Sequence, residues 1–72
     1  MAKGIEGLIE SRMTAKEKFY NVYNNLPLAI RDEVIIVIDN EPISWRVARL
    51  EIDENTKLGQ IILNKLNALE II

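Results

Sequence analysis

The 72-residue sequence contains neither cysteine nor histidine, and those two absences remove most site chemistry at once. Without them a chain has no thiolate or imidazole for zinc, no disulfide, no cysteine nucleophile and no general base that titrates near neutral pH. The expectation is a protein that is not an enzyme and binds no cofactor or metal. Carboxylates remain, and Asp53 with Glu54, or Asp39 with Glu41, could hold magnesium. Adjacent acids in turns more often serve as solvated or capping groups. Gly4 and Gly7 lie near the start without the preceding strand, lysine and hydroxyl of a phosphate-cradling loop.

Proline and glycine are scarce, with two and three residues, while 49% of the chain is hydrophobic. There is thus enough apolar area to offset chain entropy, so the chain folds. A chain this short buries only about 60% of its unfolded surface, so a single domain over 1–72 near the lower size limit is expected, with 1–13 a separate N-terminal helix or arm. The longest apolar run, Val34 to Ile38, is far below the roughly 20 residues that cross a bilayer. MAKGIEGLIESRM has neither an apolar h-region nor a small-residue cleavage site. A cytoplasmic protein with no membrane partner is expected.

Net charge is −2, but the distribution matters more than the sum. Residues 1–25 carry four cations and three anions, residues 26–54 three and seven, and residues 55–72 two and one. An acidic middle lacks the electrostatic footprint of most nucleic-acid binders, whose affinity comes largely from neutralised phosphates.

Ile5, Leu8 and Ile9, and then Phe19, Val22, Tyr23 and Leu26, recur at helical spacing. Thr14-Ala-Lys-Glu17 matches a capping box and sets a helix start at 14, although Ile5, Leu8, Arg12, Ala15, Phe19, Val22 and Leu26 also fit one continuous helix from 4 to 25. Leu26-Pro27 ends the helix, and a loop runs to Asp32. Val34 to Ile38 reads as a strand buried on both faces, followed by turn material in Asp39-Asn40-Glu41-Pro42. Residues 43–53 fit either strand or helix. Helix is preferred, because Ser44 supplies an N-cap and because Leu50 and Ile52 break the strand alternation of Trp45 and Val47. Thr56 caps a last helix from Lys57 to about Leu69.

On a helical wheel, Leu58, Ile61, Ile62, Leu66 and Leu69 gather on one side of that helix, and Lys57, Gln60, Asn64 and Asn67 on the other. Amides and lysines suit base edges and phosphates, but they also populate any solvated helix face. Leu63 lies off the apolar stripe, and Leu69, Ile71 and Ile72 extend past the helix, so these four are candidate interface residues and a homodimer is expected. Trp45 is expected in the core, against the last helix. Its other reading is an interface anchor.

The helix around Ala48, the turn near Asn55 and the segment TKLGQIILNKLNALEII together resemble a helix-turn-helix of the winged-helix kind, over roughly residues 14–72. The resemblance implies an α+β fold, a small helical domain with one or two short strands in the order helix, strand, helix, helix. In that family an alanine lets the helices approach, a glycine four residues on makes the turn, and aliphatics ten and thirteen residues on pack inward. Ala48, Leu58 and Ile61 fill the first, third and fourth places. Ile52 stands where glycine is expected, which moves the left-handed turn position to Asn55. Any wing is absent or reduced to a strand stub at Glu70-Ile-Ile. The resemblance implies a dimeric regulator of double-stranded DNA, with Lys57, Gln60, Asn64 and Asn67 facing the groove and Lys16, Lys18, Arg46 and Arg49 on the backbone. The alternative is a protein-interaction module of the antitoxin or adaptor type, whose acidic segment 32–54 or an apolar patch meets a basic protein partner.

Overall fold

The computed structural model describes residues 13–72, so the N-terminal helix or arm expected over 1–13 lies, but for Met13, outside the described residues. The described elements are α1 (Ala15–Asn24), a single 3-10 turn (Leu28–Ile30), β1 (Val34–Ile38), β2 (Glu41–Ser44), α2 (Trp45–Asp53) and α3 (Lys57–Ala68). The fold is a small α+β domain in the order helix, strand, strand, helix, helix.

α1 starts where the capping box predicts. The Glu17 amide donates to Thr14 Oγ1 at 3.1 Å and the Thr14 amide donates to Glu17 Oε1 at 2.8 Å, which satisfies donors on both sides of the cap. Thr14 itself is extended, with φ −75° and ψ 162°, so the continuous helix from 4 to 25 does not run through it. Phe19 and Tyr23 are the buried residues of α1.

β1 forms where the β-branched run predicts, but it is not buried on both faces. Ile36 and Ile38 point into the core, whereas Val34 and Val37 are 55% and 56% exposed. The reason is the sheet, which has only two strands and leaves its outer face in solvent. The run Asp39 to Pro42 is also more than a turn. Asp39 and Asn40 take φ of 52° and 69°, the conformation of a two-residue hairpin turn whose twist matches that of its strands. Glu41 and Pro42 then pair with Ile38 and Val37 as the start of β2. A register shift between Val34 and Ile36 is a bulge that turns Val34 outward.

The ambiguous stretch 43–53 is both structures in succession, since Ile43 closes the hairpin and the helix begins at Trp45. Ser44 Oγ accepts from the Val47 amide at 3.1 Å. The amides of Trp45 and Arg46 donate to the carbonyls of Glu33 at 3.2 Å and Arg31 at 2.9 Å. These bonds satisfy first-turn donors that the helix itself cannot. Trp45 lies against Phe19 of α1, ring centroids 5.9 Å apart, in the same buried cluster as Ile62, Leu63 and Leu66 of the last helix.

α2 and α3 are joined by Glu54, Asn55 and Thr56. Asn55 adopts φ 55°, at the left-handed position the sequence moved there. Its amide donates to the Ile52 carbonyl at 3.1 Å and the Thr56 amide donates to the Glu51 carbonyl at 3.2 Å, the paired bonds of a Schellman C-cap. Thr56 then caps α3 through Gly59, 2.9 Å from amide to Oγ1. A Cβ on Gly59 would lie 2.5 Å from the Glu51 carbonyl oxygen, so the two helix backbones nearly touch there.

The buried face of α3 is Gly59, Ile62, Leu63 and Leu66, rotated from the stripe read in the sequence. Ile61 is 44% exposed and Leu63 only 6%. Leu58 is half-buried against the core and Leu69 is exposed. Gly59 causes the rotation: the close approach is made at its missing side chain, which turns its side of the helix inward. Residues 70–72 form no strand. Glu70 takes φ 58° and the Ile71 amide returns to the Leu66 carbonyl at 2.9 Å, a second Schellman cap, so of the two expectations for the wing the strand stub is the one that does not form.

Gly59→Ala should lower stability by about 1–3 kcal/mol, because backbone displacement outweighs the roughly 1 kcal/mol that alanine gains in a helix. A variant that melts at or above the parent in a thermal scan would refute the close crossing. Leu66→Ala should cost about 2–5 kcal/mol, and Ile61→Ala less than about 1 kcal/mol. Denaturant titration of the two variants checks which face is buried.

Candidate functional site

α3 contains no acidic residue over its twelve positions. Lys57, Gln60, Asn64 and Asn67 are all exposed on it, as the wheel expects, and Gln60 Nε2 donates to Asn64 Oδ1 at 3.1 Å. The tertiary fold adds two lysines of α1 to this face. Lys18 Nζ donates to Asn67 Oδ1 at 3.4 Å, and Lys16 Nζ donates to Asn55 Oδ1 at 2.9 Å, in the turn just before Lys57. Both acceptors are neutral, so neither lysine loses its charge to a carboxylate.

Among the described residues the side-chain ion pairs are Arg46 with Asp32 at 2.7 Å and Arg49 with Asp53 at 3.4 Å. Charge is therefore segregated. Lys16, Lys18, Lys57 and Lys65 stand on α1 and α3 with no carboxylate partner among the described residues, while the two α2 arginines are held by acids. Of the eight candidate DNA contacts, side-chain hydrogen bonds join Lys18 to Asn67 and Gln60 to Asn64, and Lys16 reaches Asn55 in the turn before Lys57. Arg46 and Arg49 make none of these contacts and pair with Asp32 and Asp53 instead. Those two arginines line a separate surface groove of about 400 Å³ with Tyr23, Val47, Leu50 and Asp53. The hydrogen bond it donates to Asp32 holds the Arg46 guanidinium more firmly protonated than usual, with the Asp32 charge adding to it.

Beside that groove, at Tyr23, stands a residue the sequence reading passed over, Arg31. The Arg31 and Arg49 guanidiniums stand 4.5 and 5.1 Å from the Tyr23 ring centroid, within cation–π range, and the Arg31 Nη2 group donates to the Tyr23 carbonyl at 3.1 Å. Val47 and Leu50 are exposed. Their i, i+3 spacing was the available signal, but it reads equally as a core stripe until the helix face is known.

The interface candidates also divide. Leu63 belongs to the chain's own core and Ile72 is half-buried against it, so neither is a free contact. Leu69 and Ile71 remain exposed, joined by Ile61. Ile61, Asn64, Lys65, Ala68 and Leu69 line a groove of about 330 Å³ along α3.

The described residues contain no cluster of three or more metal-ligating side chains, and none of their helices is long and apolar enough to cross a membrane. Comparison with protein-family models, with curated proteins and with solved structures finds no match.

Tyr20 ties α1 to α2 by donating its hydroxyl to Asp53 Oδ1. Partial burial raises its pKa, and the hydrogen bond to Asp53 and the Asp53 charge raise it further. The folded chain thus keeps a proton that the unfolded chain loses at about pH 10. Its contribution is fully present below that value and is lost as pH rises through the folded pKa. Tyr20→Phe should therefore flatten the fall in melting temperature above about pH 10. Identical alkaline profiles for parent and variant would show that this group is not linked to folding.

Proposed function

We propose that this protein is a small, non-enzymatic DNA-binding regulator that presents α3 to double-stranded DNA. The observation that carries the reading is the acid-free polar face of α3 joined by Lys16 and Lys18 of α1. Lysine suits phosphate oxygens, and asparagine or glutamine can pair bidentately with adenine in the major groove. A three-residue turn between the helices also fits a helix-turn-helix, in which the second helix enters the groove. The hairpin precedes the helix pair here, so the wing that follows the recognition helix in winged-helix proteins has no counterpart among the described residues. Ile61, in the inward position of the motif, is exposed, and on this reading it contacts thymine methyl groups or a second copy. The dimer would use Ile61, Leu69 and Ile71 rather than Leu63.

A polarisation titration against mixed-sequence duplex DNA at 50 and 200 mM salt tests this. Binding should weaken by at least about tenfold between the two, since each phosphate contact adds to the salt slope. Lys18→Glu with Lys57→Glu should abolish it, whereas Arg46→Gln, on the other surface, should leave it within about twofold. Sedimentation of the same samples should give two chains per duplex. No salt-dependent binding at micromolar protein, or equal loss with Arg46→Gln, would remove the reading. An exposed apolar groove on a basic helix would then favour a protein partner.

A further inference from the structure

The two edges of the β1–β2 hairpin differ. The two-residue turn makes Ile38 and Glu41 the pair that exchange backbone hydrogen bonds, so the next pair, Val37 and Pro42, directs its backbone groups away from the hairpin. On the β2 edge this places Pro42, which has no N–H to offer, and the edge is blunted. The β1 edge has no such guard. Val34 to Ile38 contains neither proline nor charge, and among the described residues the sheet ends at β1. Val34 and Val37 add exposed apolar side chains on the outer face.

We propose that the β1 edge is a strand-addition site for an extended segment of another protein, apolar and β-branched at its centre and basic at both ends. Main-chain bonding supplies affinity for any extended segment. Charge supplies the choice. Residues 32–45 carry four acids and no lysine or arginine. Asp32 is taken by Arg46, while Glu33, Asp39 and Glu41 are exposed around the two ends of β1. A second copy of this strand fits poorly. Antiparallel pairing centred on Ile36 sets Glu33 opposite the copy's Asp39, and parallel pairing sets each acid beside itself. Like charges facing across strands are destabilising, and opposite ones stabilise. Nucleic acid is repelled by the same acids, so this site and the α3 face take ligands of opposite charge.

The test uses the full chain and a fluorescein-labelled peptide with a five-residue core of alternating valine and threonine and two lysines at each end. A control peptide has glutamates in place of the lysines. Anisotropy should show the lysine peptide binding at least about tenfold tighter, with affinity falling as salt rises. The double variant Glu33→Gln/Asp39→Asn should lose about tenfold. Both side chains are exposed, and asparagine tolerates the left-handed backbone at 39. Val37→Pro should abolish binding by removing the outward donor; if circular dichroism shows that it does not fold, the charge variant carries the test. In the parent, hydrogen exchange at the Val37 amide should slow at least about fivefold on saturation with peptide. Equal binding of the two peptides, or unchanged affinity in the charge variant, would overturn the proposal. So would Val37 protection that rises with protein concentration alone, because the occupant would then be a second copy.

Discussion

The contact on which the domain depends is the approach of Gly59 to the Glu51 carbonyl. No side chain fits between α2 and α3 at that point, and the same carbonyl accepts the Thr56 amide that closes the turn. One atom thus fixes both the end of one helix and the crossing of the next. Thr56 is committed twice, as the last residue of a Schellman cap and as the N-cap of α3. Asn55 makes this possible by occupying a left-handed conformation that costs most residues about 1–2 kcal/mol.

The crossing sets the rotation of α3, and the rotation sets what the surface offers. With Gly59, Ile62, Leu63 and Leu66 turned inward, the amides and lysines of the opposite side stay in solvent and Ile61 joins them. The aromatic cluster positions the rest. Phe19 packs against Tyr20, Tyr23 and Trp45 with ring centroids between 5.7 and 5.9 Å apart. It holds α1 where its lysines reach Asn55 and Asn67. The bonds from Tyr20 to Asp53 and from Arg46 to Asp32 secure α2 from its two ends, and the same two acids pair with both arginines of that helix. Basic character is left to α1 and α3, and acidic character to the hairpin.

Local signals were legible because their physics is local. Thr14, Ser44 and Thr56 cap helices because a short hydroxyl three residues before an amide can satisfy it whatever the rest of the chain does. The strand at Val34–Ile38 and the left-handed Asn55 were equally readable. The hairpin was partly hidden. Pro42 read as a ladder breaker, yet it sits at an edge position whose N–H would have pointed to solvent. Trp45 and Ile43 read as one ambiguous segment because a strand and a helix meet at Ser44.

The sequence by itself determined where the three described helices begin and where the first strand lies, that the chain holds an apolar core, and that thiol and imidazole chemistry are absent. Only the tertiary structure decided which face of α3 is buried. On the wheel the apolar arc of α3 is wider than the contact it makes, so Ile61 and Leu63 compete for one place, and a glycine that no wheel scores as hydrophobic settles the competition. The tertiary structure also decided which cations pair with acids among the described residues. Pairing depends on distances between residues far apart in the chain, such as Lys18 and Asn67 or Arg46 and Asp32, and charge counted along a sequence carries no information about those distances.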